Sequence, residues 1–215
     1  MCFSATASFS AAGVLALAGV AALSKTRGPW ERPLASMPLI FALQQGIEGF
    51  LWLTVPAGHE AGQDLATGFA VLAMIVWPLF TPLAVGLAEK VRQRRRWILA
   101  LMGPGLGIAG YSALDIWVHP YMAWPAPHSL IYINNSPFPV PLMLAYLAAT
   151  CAPPLLSSDP AIRWFGIVIT IGLAVTLGFF FVNLVSVWCF FAAIASAILV
   201  AHFWRASASS SAAVG

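Results

Sequence analysis

Long apolar segments dominate the chain, and the polar residues are gathered into short breaks between them. A membrane-spanning helix needs about 20 predominantly apolar residues, within a range of roughly 17–25. Seven segments meet this requirement, at residues 5–23, 34–55, 66–87, 97–117, 138–156, 162–181 and 185–203. The pattern therefore predicts an all-α integral membrane bundle of seven transmembrane helices.

The weakest boundary in this pattern separates the last two segments, because only the region around Asn183 interrupts one apolar stretch. A single helix over residues 162–203 would be about 63 Å long at 1.5 Å per residue. That length is about twice the hydrocarbon thickness of a bilayer. Two antiparallel helices with a tight turn are therefore predicted. Ser158 and Asp159 can cap the first of them, and Pro160 suits its first turn.

The basic residues fix the predicted orientation. All ten Lys and Arg residues fall on one side of the predicted bundle. They are Lys25, Arg27, Arg32, Lys90, Arg92, Arg94, Arg95, Arg96, Arg163 and Arg205. Cytoplasmic segments carry an excess of Lys and Arg. The N-terminus is therefore predicted outside and the C-terminus in the cytoplasm.

The two ends of the chain need separate treatment. No basic residue precedes the first apolar segment, which is thus predicted to be a retained helix and not a cleaved signal peptide. Residues 1–205 are predicted to form a single transmembrane domain. The Ser- and Ala-rich residues 206–215 are predicted to form a disordered cytoplasmic tail.

Composition supports the membrane prediction. Hydrophobic residues make up 60% of the 215 residues and charged residues only 8%, whereas soluble domains carry about 25% charged residues. The apolar runs are continuous and show no alternation, which excludes a β-barrel. The basic residues form no patch on a soluble surface, so the net charge of +3 does not indicate nucleic-acid binding. The expected partner of the surface is the lipid bilayer.

Three polar residues, Gln44, Gln45 and Glu48, lie near the middle of the second helix. Gln44, Glu48 and Trp52 are spaced four apart and share one face. Glu48 is predicted to lie about 5 Å outward of the bilayer centre, where an ionisable residue is costly and indicates a functional site. Because every Lys and Arg is cytoplasmic, Glu48 is expected to be protonated and hydrogen-bonded, paired with a histidine, or bound to a metal.

The other polar residues collect in the outer half of the predicted bundle. Asp115 ends the fourth helix, where a solvated helix end would also explain it, and Cys189 lies about 7–8 Å outward of its helix midpoint. The long loop at 118–137 could cover them as a lid. An outward-facing ligand pocket is therefore predicted. Its candidate residues are Gln44, Gln45, Glu48, Trp52, Asp115, His119, His128, Tyr132, Ser186 and Cys189.

A metal site is a weaker hypothesis. Thiolate, imidazole and carboxylate groups are the ligand set of zinc or copper. The candidate ligands are Cys2, Glu48, His128 and Cys189, but no CxxC or HxxxH spacing accompanies them. Cys2 could reach Cys189 only if the N-terminus folds back into the bundle. The odd cysteine count does not suggest a disulfide framework.

Other cofactors of helical membrane proteins fit poorly. A retinal Schiff base needs a lysine in the seventh helix, and both lysines are in cytoplasmic loops, so retinal is excluded. A membrane haem with two histidine ligands needs them at matching depth, and the histidines lie in outer loops or at helix ends. The phosphate-binding loop, the dinucleotide fingerprint and the GxSxG elbow are absent from the sequence.

Two predicted helices are irregular. The third contains Pro78 and Pro82, which should kink it. In the fourth, Gly103 and Gly107 form a small-xxx-small face that favours close helix packing. Broken helices also occur in transporters, but no inverted repeat accompanies these, so ordinary packing is the favoured interpretation.

Three motifs resemble those of a known family. They are residues 1–8 (MCFSATAS), residues 44–49 (QQGIEG) with Trp52, and residues 186–193 (SVWCFFAA). Together they resemble a family of uncharacterised bacterial multi-pass membrane proteins that begin MCFSxxAS. The resemblance implies a location in the bacterial inner membrane and no particular activity. It also places Cys2, Glu48 and Cys189 in the family's distinctive motifs.

Three functional hypotheses follow. The first is a non-enzymatic or sensory protein that binds a small ligand or metal in the outward-facing pocket. The second is an intramembrane hydrolase or thiol enzyme that uses a metal-activated water or Cys189. The third is a transporter of a small solute, which the scarcity of polar groups in the inner half disfavours. The sequence does not decide whether the protein is an enzyme.

Overall fold

A computed structural model describes residues 4–56, 61–126, 129–136, 139–179 and 184–212. Helices account for most of them. The elements are α1 (Ala5–Ser24), a 3₁₀ turn (Pro29–Glu31), α2 (Arg32–Ala35), α3 (Met37–Thr54), α4 (Ala61–Val71), a π-helix (Leu72–Val76), α5 (Trp77–Ala88), α6 (Arg92–Ala100), α7 (Met102–Val118), β1 (Met122–Ala126), β2 (Ser129–Ile133), α8 (Val140–Leu156), α9 (Pro160–Phe179) and α10 (Leu184–Ala212).

Six helical segments within the described residues are long and apolar enough to cross a membrane. They are Ala5–Ser24, Pro29–Thr54, Gly62–Ala88, Arg92–Val118, Pro160–Phe179 and Val187–Ala206. A seventh apolar helix, α8, is shorter. Its 17 residues span about 26 Å, against a hydrocarbon core of about 30 Å. The helical, membrane-compatible bundle predicted from the sequence is thus confirmed.

The basic residues meet at one end of the bundle, called here the basic end. Arg94 Nη1 donates to the carbonyl oxygens of Leu156 and Ser157 at 3.2 and 3.1 Å. The Lys25 ammonium lies 5.3 Å from the centre of the Trp204 ring. These contacts join the end of α1, the start of α6, the α8–α9 turn and the end of α10.

The junction between α8 and α9 is built from polar side chains at this basic end. Glu89, which follows α5, accepts hydrogen bonds from the Ser157 hydroxyl at 3.0 Å, the Ser158 backbone N–H at 2.7 Å and the Ser158 hydroxyl. Burial raises the pKa of Glu89, but these hydrogen bonds and one from the Val91 N–H outweigh it and lower the pKa. Asp159 Oδ1 caps α9 by accepting from the Ala161 N–H at 2.8 Å, as predicted.

The predicted separation of the last two long helices is confirmed. α9 ends at Phe179 and α10 begins at Leu184. The two helices pack side by side, because the Trp188 indole N–H donates to the Ile169 carbonyl at 3.0 Å. α10 then continues to Ala212. Residues 206–212 are therefore helical, where the sequence pattern predicts a disordered tail.

The predicted kink in the third segment takes the form of a π-helix directly before Trp77. In this turn the Trp77 N–H bonds to the Leu72 carbonyl, five residues back. Pro78 has no N–H, so neither residue can donate to the carbonyl of Ala73. The Tyr146 hydroxyl fills that gap and donates to Ala73 O at 2.8 Å. A side chain of α8 thus satisfies the backbone group that the π-helix leaves open.

Close helix packing depends on glycines other than those predicted. No atom lies within 4 Å of the Cβ position at Gly103 or Gly107, so the predicted small-xxx-small face packs against nothing in the described chain. Gly105 is the glycine of α7 in close contact, because a Cβ there would collide with the Pro78 carbonyl of α5. Gly49 likewise allows α3 to pack closely against α1, because a Cβ there would lie 2.7 Å from the Phe9 ring.

A β-hairpin covers the opposite end of the bundle, called here the hairpin end. β1 and β2 pair antiparallel, with Met122 opposite Ile133 and Ala126 opposite Ser129. This hairpin was not predicted, since the sequence pattern indicated helices only. Part of the loop predicted as a lid is therefore this hairpin, which packs on the helices through Leu130. Leu130 is 0% exposed and packs among residues of α3 and α4.

Candidate functional site

Gln44 is the centre of a hydrogen-bonded bridge through the bundle. It is 0% exposed. Its Oε1 accepts a hydrogen bond from the Trp77 indole N–H at 2.9 Å, and its Nε2 donates to Cys189 Sγ at 3.2 Å. Gln44 therefore ties α3 to both α5 and α10. A buried amide with both ends engaged holds its two partners in fixed orientations.

Gln45 and Glu48 form a second buried polar pair on the same helix. Gln45 Nε2 donates to Glu48 Oε2 at 3.3 Å, and both side chains are at most 1% exposed. Gln45 Oε1 is buried with no hydrogen-bond partner among the described residues. The burial predicted for Glu48 is therefore present, together with an amide partner.

Three aromatic side chains of the core have their polar atoms engaged in hydrogen bonds to neighbouring helices. The N–H of Trp77 goes to Gln44, the N–H of Trp188 to a carbonyl of α9, and the hydroxyl of Tyr146 to the Ala73 carbonyl. Tyr146 and Trp188 meet edge to face, with ring centres 5.7 Å apart. Trp77, Tyr146 and Trp188 line a common space.

That space is a small cavity of about 40 Å³. α3, α5, α8, α9 and α10 all contribute to its walls. Its lining includes Phe41, Trp77, Thr81, Tyr146, Trp188 and Cys189. Phe41 stacks on Trp77, with ring centres 4.1 Å apart. Both hydrogen-bond partners of Gln44, Trp77 and Cys189, thus line the cavity. Gln44 does not line it, but its hydrogen bonds hold these two side chains in place in the cavity wall.

The hairpin end above this cavity is filled. Cys189 packs with Leu51, Phe69 and Leu130, which form an apolar layer between the cavity and the hairpin. Tyr132 of β2 stacks on Phe69, with ring centres 4.4 Å apart and planes 13° from parallel. The structure therefore gives no support to an outward opening of the cavity.

Asp115 and His119, predicted to join the pocket, form a separate cluster beside the hairpin. Asp115 accepts hydrogen bonds from Asn134 Nδ2 at 2.7 Å, and its other oxygen lies 3.2 Å from His119 Nδ1. Burial raises the pKa of nearby Tyr121 to about 12, and the Asp115 and Tyr111 groups add to that shift. This cluster fastens the hairpin to α7.

The remaining predicted residues divide into two groups. Trp52 and Tyr132 belong to the apolar layer at the hairpin end, and the buried indole N–H of Trp52 has no hydrogen-bond partner among the described residues. Cys2, His128 and the side chain of Ser186 lie outside the described residues.

The metal hypothesis gains no support where it can be examined. Within the described ranges, no three His, Cys, Asp or Glu side chains are close enough to hold an ion. Two of the four candidate ligands, Glu48 and Cys189, are described, and each accepts a hydrogen bond from a glutamine amide.

The aromatic residues of the cavity were not selected from the sequence. Trp77 could have been selected, because the sequence places it in the middle of a predicted span, whereas tryptophan favours membrane interfaces. Tyr146 and Trp188 could not have been selected, since their roles depend on hydrogen bonds to backbone carbonyls of other helices.

A family model that matches residues 1–214 provides the identification, and it describes DUF6629, a family of unknown function. The chain belongs to this family. An uncharacterised family is also what the three sequence motifs indicated. No curated protein and no solved structure matches the chain. The geometry of the core is therefore the evidence for the function of this member of DUF6629.

Proposed function

We propose that the protein crosses the bacterial inner membrane seven times, with the N-terminus outside and the C-terminus in the cytoplasm. Six helices have the required length, and the 17 residues of α8 reach the lower limit for a span. The gathering of Lys and Arg at the basic end supports a cytoplasmic position for that end.

Reporter fusions test this topology. Alkaline phosphatase, which folds outside the cytoplasm, is expected to be active when fused after Ala126 and inactive when fused after Ser158. A fluorescent protein that matures in the cytoplasm should give the opposite result. The same signal at both positions would remove α8 as a membrane crossing.

We further propose that the core cavity binds a small, largely apolar molecule. The observation that carries this proposal is the orientation of Trp77, Tyr146 and Trp188, whose polar atoms are all engaged outside the cavity while their rings line it. An engineered cavity of about 150 Å³ binds benzene. A cavity of about 40 Å³ therefore suits a molecule of only a few heavy atoms.

The position of the space between five helices supports the proposal. Packing is a main source of helix association in membranes, so a molecule that fills this space and contacts the surrounding helices adds to the packing of the bundle. A binding role is favoured over thiol catalysis, because the Cys189 sulfur meets the Gln44 amide and not a histidine in the described residues.

Xenon, a small apolar probe, tests the proposal in crystals equilibrated under pressure. Ala192 lines the cavity, whereas Ala195 is buried on the same helix away from it. We expect one xenon site in the wild-type cavity, none in Ala192→Val, and an undiminished site in the matched control Ala195→Val. Absence of xenon from the wild-type protein would refute the proposal.

A further inference from the structure

A second concave surface lies between α9 and α10 at the basic end, away from the core cavity. It is an open groove of about 680 Å³. Small and aliphatic residues of its lining, called here the floor, are Ala161, Ile198 and Ala201. The aromatic and basic residues of its lining, called here the rim, are Trp164, His202 and Arg205.

The groove lies at the depth of lipid headgroups. Trp164 is four residues into α9, about 6 Å from its first residue, and it is 59% exposed. Arg205 is next to the last residue of the membrane-length segment Val187–Ala206. Tryptophan side chains favour this interfacial level. In the proposed topology Ile198 therefore lies on the acyl side of the groove, and Arg205 lies at the level of the headgroups.

The rim is suited to an anion. The Arg205 guanidinium is permanently charged and can bind a phosphate through two hydrogen bonds. His202 Nδ1 lies 3.6 Å from Asp159 Oδ1, which leaves Nε2 as the ring nitrogen available to a ligand. The Asp159 carboxylate is held at the start of α9 by the Ala161 N–H. A charged rim beside an apolar floor matches an anionic headgroup with an attached acyl chain.

We infer that this groove binds an anionic phospholipid. The phosphate contacts Arg205 and His202, the glycerol lies against Trp164, and one acyl chain follows the floor toward Ile198. Basic pockets between membrane helices on the cytoplasmic side bind such headgroups. A free anion would leave the apolar floor unused, so a lipid is favoured over soluble phosphate.

Fluorescence quenching by brominated lipids tests the inference on the full-length protein in nanodiscs. Quenching in wild type minus quenching in Trp164→Phe isolates the signal of Trp164. We expect brominated phosphatidylglycerol to quench Trp164 more strongly than brominated phosphatidylcholine. Arg205→Gln should weaken the apparent affinity for phosphatidylglycerol about fivefold, as expected for one cation at a membrane surface.

Arg96→Gln is the matched control, since Arg96 is an exposed basic residue on α6 that does not line the groove. It should leave the quenching of Trp164 unchanged. Equal quenching by the two lipids would overturn the inference, and so would an equal loss in Arg96→Gln. Displacement of phosphatidylglycerol by glycerol 3-phosphate, which has no acyl chains, would show a simple anion site and would also overturn it.

Discussion

Replacing Gln44 by leucine tests the hydrogen-bonded bridge that positions the cavity wall. Gln44→Leu leaves the Trp77 indole N–H buried without its acceptor, 2.9 Å away in the wild type. In soluble proteins such an orphaned donor costs about 1–3 kcal/mol. Measured couplings between side chains in a membrane protein average about 0.6 kcal/mol and reach about 1.7 kcal/mol. Cys189 adds little, because a thiol is a weak hydrogen-bonding group.

A double-mutant cycle with Trp77→Phe isolates this bond. Phenylalanine removes the N–H but keeps an aromatic ring against Phe41. The double variant Gln44→Leu/Trp77→Phe has no polar group left unpaired from this bond. The loss of unfolding free energy in the double variant should therefore be smaller than the sum of the losses in the two single variants, by about 0.6–1.7 kcal/mol. Reversible unfolding by steric trapping in bicelles measures the free energies directly.

Trp188 provides the control for the cycle, because its N–H goes to the Ile169 carbonyl and not to Gln44. Trp188 lines the same cavity, but no hydrogen bond to Gln44 is lost in Trp188→Phe, so its coupling to Gln44→Leu should be smaller than that of Trp77→Phe. A coupling between Gln44 and Trp77 no larger than this control would show that the bridge does not contribute to the stability of the site.

Three further predictions concern the fold around the site. Tyr146→Phe should destabilise the protein by about 1–3 kcal/mol, because the Ala73 carbonyl loses its partner; a cost below about 0.3 kcal/mol in the same unfolding assay would refute this. Gly105→Ala should lower the thermal midpoint in detergent, since its methyl group collides with the α5 backbone, whereas Gly107→Ala, with open space around it, should not lower it. Glu89 has a lowered pKa in the folded protein, so its charged form stabilises the fold above about pH 4.5, and this contribution is lost as the pH falls further. The difference in unfolding free energy between wild type and Glu89→Gln should therefore shrink on acidification. A difference that stays constant with pH would contradict the assignment.

Apolar length was sufficient to predict most of the helices. Each long helix overlaps a predicted segment, the last two long helices are separate, and Asp159, one of the two predicted caps, caps α9. These features are local, since hydrophobic length, capping and charge all act within a few residues. The hairpin was missed because its strands have only five residues each and one contains Pro125.

The candidate site was predicted less well, because its geometry depends on contacts between distant parts of the chain. The pattern correctly marked Gln44, Gln45, Glu48 and Cys189 as buried in the bundle. It could not show that Gln44 meets Cys189, which lies 145 positions further along the chain. Depth alone also grouped Asp115 with these residues, although its hydrogen bonds hold the hairpin to α7.

The π-helix gives the clearest example of information that the local pattern lacks. Pro78 predicts a bend, but the register that frees the Ala73 carbonyl is set by the Tyr146 hydroxyl of another helix. The same two helices then present Trp77 and Tyr146 to the cavity. The bend, its hydrogen-bond partner and the cavity wall therefore depend on one another.

The most direct test of a ligand site in the core is an experimental density map of the protein purified in mild detergent from its native membrane. Our proposal predicts density not accounted for by protein, the size of a few heavy atoms, between Trp77, Tyr146 and Trp188 and next to Cys189. Mass spectrometry of the same sample should detect a released compound of matching size. A cavity that is empty, closed by its own side chains, or filled only by water would contradict the proposal.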